Sequence, residues 1–356
     1  MFSQEVTAKI REQSNQMDQT GVISHQILDF IYEQKLFKLF VPEELGGRMT
    51  PLPEALRLFA DASKVDGNLG WTVTIGSGGG FFSALIDLSV CTNLFSNPKA
   101  VIAGSGTPSG VAKRVNGGYQ VSGQWRYCSG APHATFFTAN CLIELADKPK
   151  QQSIRSFIFL PDQVKIIEDW SAFGLKATGS HSIQVEDIFV PDSMTFDLTE
   201  PNSYYNHPVF QYPFIPFAAA SFAAVSIGIG KHFFEEAQLI LNECKNKWET
   251  DRWEFVNQKK KQLEQVFTRS VEDFYKIIDT SWDKHIQLPP LSEEELDQIS
   301  YQCKETARVA LSSTDSLLPY LGMGAVMEHT SINRIWRDLH TACQHVVLTP
   351  FYEVEK

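Results

Sequence analysis

No two cysteines in this 356-residue chain stand in C-x-x-C or zinc-ligand spacing; Cys91, Cys128, Cys141, Cys244, Cys303 and Cys343 are scattered. That argues against a zinc ribbon, a thioredoxin-type motif and a disulfide framework, and points to reduced, mostly buried thiols in a cytoplasmic protein with no metal site. No basic stripe is present, and the formal net charge is −11. Nucleic acid and anionic membrane surfaces, both negative, are therefore not expected partners. The opening Met1-Phe-Ser-Gln-Glu-Val-Thr-Ala lacks a basic start followed by an apolar run, so no signal peptide is expected. No G-x-G-x-x-G joins a strand to a helix: Gly76-Ser-Gly-Gly-Gly80 and Gly104-Ser-Gly-Thr-Pro-Ser-Gly110 miss that spacing, so no nicotinamide site is expected. From Pro201 to Gly230 there is no Asp, Glu, Lys or Arg, but Pro208, Pro213 and Pro216 interrupt the stretch and argue against a membrane span.

What is present is a chain with 43% hydrophobic residues, enough to bury a large core in two or three lobes. Across residues 1–99 apolar side chains recur at helical spacing, as in Ile27, Phe30 and Ile31 and again in Leu52, Leu56, Phe59 and Ala60. Residues 100–200 change texture to short β-rich runs divided by Gly, Pro and Asp, including Tyr119 to Tyr127, Thr135 to Ala139, Ser156 to Leu160, Val164 to Ile167 and Ser182 to Val190. This spacing predicts a small antiparallel barrel or sandwich. Residues 201–356 begin with a linker from Pro201 to Pro216 and return to helical periodicity in four blocks, near Phe214–Cys244, Phe255–Ile286, Ser292–Leu317 and Met323–Leu348. Four such blocks predict a helical bundle.

Three segments and one terminal cluster carry a resemblance. They are Leu36-Phe-Lys-Leu-Phe-Val-Pro42-Glu-Glu-Leu-Gly46-Gly47; Gly117-Gly-Tyr-Gln-Val-Ser-Gly-Gln-Trp125-Arg-Tyr-Cys-Ser129-Gly130; and Trp170-Ser-Ala-Phe-Gly-Leu-Lys-Ala-Thr178-Gly179-Ser180 with Asp187-Ile-Phe-Val-Pro191. The cluster runs from Gly322-Met-Gly324 to Arg337-Asp338-Leu-His340-Thr-Ala-Cys-Gln-His345, with no carboxylate after Asp338 until Glu353. In order and spacing these pieces resemble the acyl-CoA dehydrogenase superfamily over nearly the whole chain. The resemblance implies an α+β fold: an N-terminal helical domain, a middle antiparallel β-barrel and a C-terminal four-helix bundle. It also implies a flavin cofactor, FAD or FMN, with the first 36–47 segment as a strand-like turn.

A flavin ring needs hydroxyls and N–H groups at its polar edge, an apolar or aromatic face, and glycines where backbone approaches it. Ser129, the turn Thr178-Gly179-Ser180, Trp125 and the terminal pair Gly322 and Gly324 are candidates for those roles. The same residues have plainer readings: Ser-Gly and Thr-Gly-Ser are ordinary turn chemistry, and a strand tryptophan is commonly core. Arg252-Trp-Glu-Phe255 resembles the Arg-x-x-Phe that grips the FAD pyrophosphate of a neighbouring subunit, without the following glycine. Its plainer reading is a solvated salt bridge.

Dehydrogenases of this superfamily take an α-proton with a glutamate, commonly eight residues after the Asp of the Arg-Asp pair, and that position here is Val346. The other usual place, early in the first bundle helix, is also empty, since Pro201 to Phe234 has no Asp or Glu. This favours the two-component flavin-dependent monooxygenase branch, which contains the hydroxyphenylacetate hydroxylase oxygenase components and the dibenzothiophene monooxygenases. There a separate flavin reductase supplies reduced flavin, which reacts with O2 and passes one oxygen atom to a small organic or aromatic substrate. The resemblance assigns catalytic roles to a barrel serine, Ser129, and to a histidine eight residues after the terminal Arg, His345. A helix-end histidine satisfying the last carbonyls is the plainer reading of His345.

The substrate-side candidates are Gly79, His133 and His340. Many members carry a histidine eight residues after a tryptophan; after Trp71 that place is Gly79, so a base for phenol deprotonation is missing, and the surrounding glycines suggest a wide pocket or a close ligand. His133 borders Ser129 in sequence, and His340, five residues before His345, need not face the same way on a helix. Two alternatives stay open: an acyl-CoA dehydrogenase-type FAD enzyme and a non-catalytic flavin-binding homologue. Apolar residues on more than one face of Phe214 to Gly230 predict a homodimer or homotetramer.

Overall fold

Side-chain caps start the helices of the first lobe. Ser3 accepts from Val6 N–H before α1 (Gln4–Thr20), and Ser24 accepts from Ile27 N–H before α2 (His25–Glu33). After α3 (Leu52–Val65), Asp66 accepts from the N–H groups of Asn68 and Leu69 and starts α4 (Gly67–Gly78); α5 (Leu88–Phe95) closes the lobe. The computed structural model describes residues 2–144, 153–199, 204–287 and 290–349. Pro201 and Glu353 lie outside them. The segment from Leu36 to Gly47 is not strand-like: it holds two short 3-10 turns, Leu36–Lys38 and Glu43–Leu45. The buried Lys38 ammonium fixes it by donating to the carbonyls of Phe95 and Asn97, both at 2.9 Å.

The middle lobe is a seven-stranded sheet in the order β5-β6-β2-β1-β3-β4-β7. Its strands are β1 (Ile102–Val115), β2 (Gly118–Cys128), β3 (Phe136–Glu144), β4 (Ser153–Phe159), β5 (Lys165–Ile167), β6 (His181–Pro191) and β7 (Thr195–Phe196). Neighbours pair antiparallel except β1 and β3, which run parallel. The long β1 has no period-2 signal because glycines occupy it, with a register shift between Ser105 and Gly110. A Cβ on Gly110 would come within 2.2 Å of the Trp125 ring, so that glycine makes room for the indole in the core of the middle lobe.

The third lobe holds α6 (Pro208–Gln211), α7 (Phe214–Cys244), α8 (Thr250–Gln287), α9 (Glu293–Leu317) and α10 (Ser331–Cys343). Three of the four predicted blocks match closely. The last is shorter than expected: Met323–Val326 is a 3-10 turn held by Thr330 Oγ1 donating to the Gly324 carbonyl, and α10 starts only at Ser331. By length and apolarity α7 has the makings of a membrane span, yet 78% of its most apolar window is buried inside the protein. It packs on α3, α4, α9 and α10, and a Cβ on Gly228 would strike the Ala60 carbonyl of α3 at 2.2 Å. Most of Phe214 to Gly230 is thus covered within the chain, while Ile215 stays 60% exposed and Phe214 and Ala218 are only partly buried. Of the cysteines, Cys91, Cys128, Cys141, Cys303 and Cys343 are buried thiols and Cys244 is partly so, none paired.

Candidate active site

Where α4, the end of β2, the loop before β6 and the end of α10 converge, four side chains form one hydrogen-bonded line. Trp71 Nε1–H donates to Ser129 Oγ at 2.9 Å. Ser129 Oγ lies 2.7 Å from Ser180 Oγ, and Ser180 Oγ 2.7 Å from Thr178 Oγ1. Thr178 Oγ1–H donates to the Leu175 carbonyl at 2.8 Å. All four side chains are buried. Gly130, at φ 81°, turns the chain after β2 so that its N–H donates to the Thr178 carbonyl at 2.8 Å, tying the two segments together.

His345 closes the other side. Its ring stacks on Phe222 of α7 with centroids 3.8 Å apart and planes 25° off parallel, and Trp71 stacks on Phe222 at 5.2 Å. The Trp71 and His345 centroids are 6.1 Å apart. Burial pushes the His345 pKa down to about 4, so the ring is neutral near pH 7. Its Nδ1 accepts from Val347 N–H at 3.4 Å, which puts the proton on Nε2.

The Arg337-Asp338 pair positions this site without entering it. Asp338 Oδ1 accepts from Leu175 N–H at 2.6 Å, on the same residue whose carbonyl ends the hydroxyl line. Burial, then the charge of Asp66, push the Asp338 pKa up to about 7. Arg337 grips Asp18 of α1 through two bonds, 3.0 and 2.8 Å, and also donates to the Phe173 carbonyl. A Cβ on Gly174 would lie 2.1 Å from the Arg337 carbonyl, so the loop bearing Thr178 and Ser180 is pressed onto α10. Asn68 of α4 accepts from Ala177 N–H at 2.9 Å and fixes the loop from the other side.

Sequence reasoning missed three residues of this site. Trp71 served only as a spacing mark, yet its indole is the terminal donor to Ser129. Phe222 was one aromatic among many on an apolar helix. Tyr127 lies two residues before Ser129 with φ 66°, a conformation disfavoured for a bulky residue, and is 67% exposed, edge-on to Trp170 at 6.2 Å. A Tyr-x-Ser at a strand end was the signal available for it.

The remaining candidates fall differently. Trp125 is fully buried in the core of the middle lobe, its Nε1–H donating to the Asn140 carbonyl at 2.7 Å, and it has no free face for a ligand. Gly79 does not open a pocket: a Cβ there would meet Ile102 of β1 at 2.7 Å, so the glycine serves helix-on-strand packing. Gly179 adopts φ 55° and abuts Pro132. His133 is not solvated; it stacks on Phe37 at 5.6 Å, and burial pushes its pKa down to about 4. His340 faces away from His345, its Nε2 2.8 Å from Asp315 Oδ1 and its ring 4.5 Å from Trp336. Arg252 lies over Trp248 at 4.1 Å, and a Cβ on Gly322 would be 3.9 Å from its Nη2; Gly324 shares that turn. This group stands apart from the hydroxyl line, beside the exposed Phe255, Tyr320, Met323, Val326 and Met327.

The donor set fits a planar ring with a polar edge. Such a ring would find its edge contact at the indole-anchored Ser129, an exposed aromatic face at Tyr127, and an apolar wall with one free N–H donor in Trp71, Phe222 and His345. Among the described residues, no Asp or Glu side chain hydrogen-bonds to Trp71, Ser129, Ser180, Thr178 or His345.

Residues 272–350 match the family model described as "Acyl-CoA dehydrogenase, C-terminal domain". The indole-3-acetate monooxygenase of Acinetobacter baumannii is 25% identical to this chain, over 96% of it and 88% of the relative. The oxygenase subunit HsaA of a flavin-dependent monooxygenase from Rhodococcus jostii is also 25% identical, over 96% and 92%. The structure of XiaF from Streptomyces, in complex with FADH2 and glycerol, superposes with a TM-score of 0.80 at 19% identity, covering 97% of this chain and 92% of that one. The two sequence relatives are thus monooxygenases, the second of them flavin-dependent, and the superposition on XiaF shows a shared fold.

Proposed function

We propose that this chain is the oxygenase component of a two-component flavin-dependent monooxygenase acting on a small aromatic substrate. The observation that carries the reading is the Trp71–Ser129–Ser180–Thr178 line facing His345, with no carboxylate bonded to it among the described residues, in a chain whose relatives include oxygenase components. Reduced FMN or FAD, delivered by a separate reductase, supplies the two electrons by which one atom of O2 enters the substrate and the other leaves as water. Ser129 would hold the polar edge of the ring and Tyr127 its face. Trp71, Phe222 and the neutral His345 ring keep water out, and His345 Nε2–H offers one donor inside that wall. The dehydrogenase reading lacks its base, since Val346 occupies the usual position and is 63% exposed.

A substrate that needs no phenol deprotonation suits the site, because position 79 has no imidazole and its Cβ space belongs to Ile102. Indole-type rings are the first compounds to test. The Arg252, Gly322 and Met323 surface suits a second copy of the chain in a homodimer or homotetramer. The protein mixed with a flavin reductase, NADH, FMN or FAD and a panel of indoles and phenols should form a hydroxylated product that requires every component. No product from any compound, together with bleaching of enzyme-bound FAD by an acyl-CoA, would reject this reading in favour of dehydrogenation.

A further inference from the structure

Four links at hydrogen-bond distance join Trp71 to Leu175 through Ser129, Ser180 and Thr178. Each link needs one proton, because two oxygens at 2.7 to 2.8 Å without a proton between them repel. Four protons are available: one on the indole nitrogen and one on each hydroxyl. The line has a donor-only end, the Trp71 N–H, and an acceptor-only end, the Leu175 carbonyl. A single arrangement satisfies every link. Thr178 donates to Leu175, Ser180 to Thr178, Ser129 to Ser180 and Trp71 to Ser129.

The consequence falls on Ser129. Its proton is committed to Ser180, one lone pair receives Trp71, and what remains is a lone pair that can only accept. We infer that Trp71, Ser180 and Thr178 are positioning residues that hold Ser129 as an obligate acceptor, so that the site selects flavin in its reduced, N–H-bearing state over the oxidised state. This rests on the flavin reading above. The central ring nitrogen of a reduced flavin carries N–H and matches the free lone pair; in the oxidised ring that nitrogen is itself an acceptor and opposes it. Asn68 and Asp338 stiffen the line by pinning the backbone at Ala177 and Leu175.

Thr178→Val keeps the side-chain shape but removes the proton to Leu175 and the acceptor for Ser180. Ser180 is then free to donate toward Ser129, whose own proton is released outward. Thr178→Ser preserves the line. Anaerobic titration of the whole protein with oxidised and with reduced FMN and FAD reads the outcome as a ratio of dissociation constants. We expect tighter binding of the reduced form by the wild type, a ratio that falls about tenfold in Thr178→Val and Ser180→Ala, and one retained in Thr178→Ser, as one misdirected hydrogen bond dictates. A ratio unchanged in both Thr178→Val and Ser180→Ala overturns the inference while leaving flavin binding in place.

A wild type that binds neither flavin defeats the proposed function instead, and the line is then decided in the flavin-free protein. There the indole N–H resonance of Trp71 in 15N-tryptophan-labelled protein, assigned by its loss in Trp71→Phe, should shift in Thr178→Val and Ser180→Ala and stay put in Thr178→Ser. An unmoved resonance in all three overturns the inference.

Discussion

The ring of His345 lies on that of Phe222 with centroids 3.8 Å apart and planes 25° from parallel. An imidazolium in that position would be stripped of its hydration, and burial accordingly pushes the pKa to about 4. His345 therefore contributes a neutral Nε2–H donor and a stacked face, and a cationic contact is not available to it near neutral pH.

His345→Phe keeps the stack and loses the donor. Product formed per reduced flavin consumed should fall about three- to tenfold, with hydrogen peroxide accounting for the difference, as expected for a neutral hydrogen bond of about 1 kcal/mol. The loss should be the same from pH 6 to pH 9, because His345 ionises below that range. Product and peroxide assays across that range check it; a defect that appears only near pH 6 to 7 contradicts it.

Asp338 sets a pH dependence of stability. Its carboxyl, ordinarily near 3.8, is raised to about 7 in the folded protein. Between those values the folded chain binds the extra proton, so this group's contribution to stability declines as pH rises through the window and levels off above 7. Asp338→Asn keeps an acceptor for Leu175 N–H without the buried charge. Denaturant unfolding should show the variant more stable than the wild type by roughly 1–3 kcal/mol at pH 8, with the gap closing toward pH 4. Equal stabilities at pH 8 would show that the carboxylate is not penalised there.

Arg337 and Asp18 make a buried, two-point ion pair that joins α10 to α1. Arg337→Met should cost about 3 kcal/mol, at the low end for a broken buried pair, because Lys176 Nζ stays 3.7 Å from Asp18. Asp18→Asn in the same chain should recover part of that loss. Unfolding of the two single variants and the double variant measures the coupling, and purely additive losses would deny that the pair acts as a unit.

Exposed Phe255, Met323 and Val326, beside Arg252 and Gly322, predict a homodimer or homotetramer at micromolar concentration. Light scattering should give a multiple of the 40.1 kDa chain mass, and Met323→Lys should lower it. A monomeric mass for the wild type contradicts the surface assignment.

Much of this architecture was legible in the chain, since α2, α3, α7 and α9 declare themselves by apolar periodicity, and β2 and β6 by β-rich runs between turn residues. β1 was hidden because Gly104, Gly106 and Gly110 interrupt any alternation, whereas in the fold Gly110 accommodates the Trp125 indole from the neighbouring strand. The same kind of contact misdirected the reading of Gly79, whose missing side chain is filled by Ile102. Ser129, Thr178, Ser180 and His345 were readable as candidates, but not the geometry that joins three of them to Trp71. That line spans residues 71 to 180, and no local spacing encodes a hydrogen bond between elements so distant in sequence. Arg337-Asp338 was visible as a motif while its partners, Asp18 and Leu175, depend on tertiary packing.

Oxygen isotope transfer tests the central claim most directly. The protein, loaded anaerobically with reduced FMN or FAD and mixed with 18O2 and an indole, should yield product carrying one 18O atom, with the other in water. Ser129→Ala should give less labelled product per flavin oxidised. Product oxygen derived from H2 16O, or flavin oxidation that releases only peroxide at every substrate tried, would contradict a monooxygenase site at Ser129 and His345.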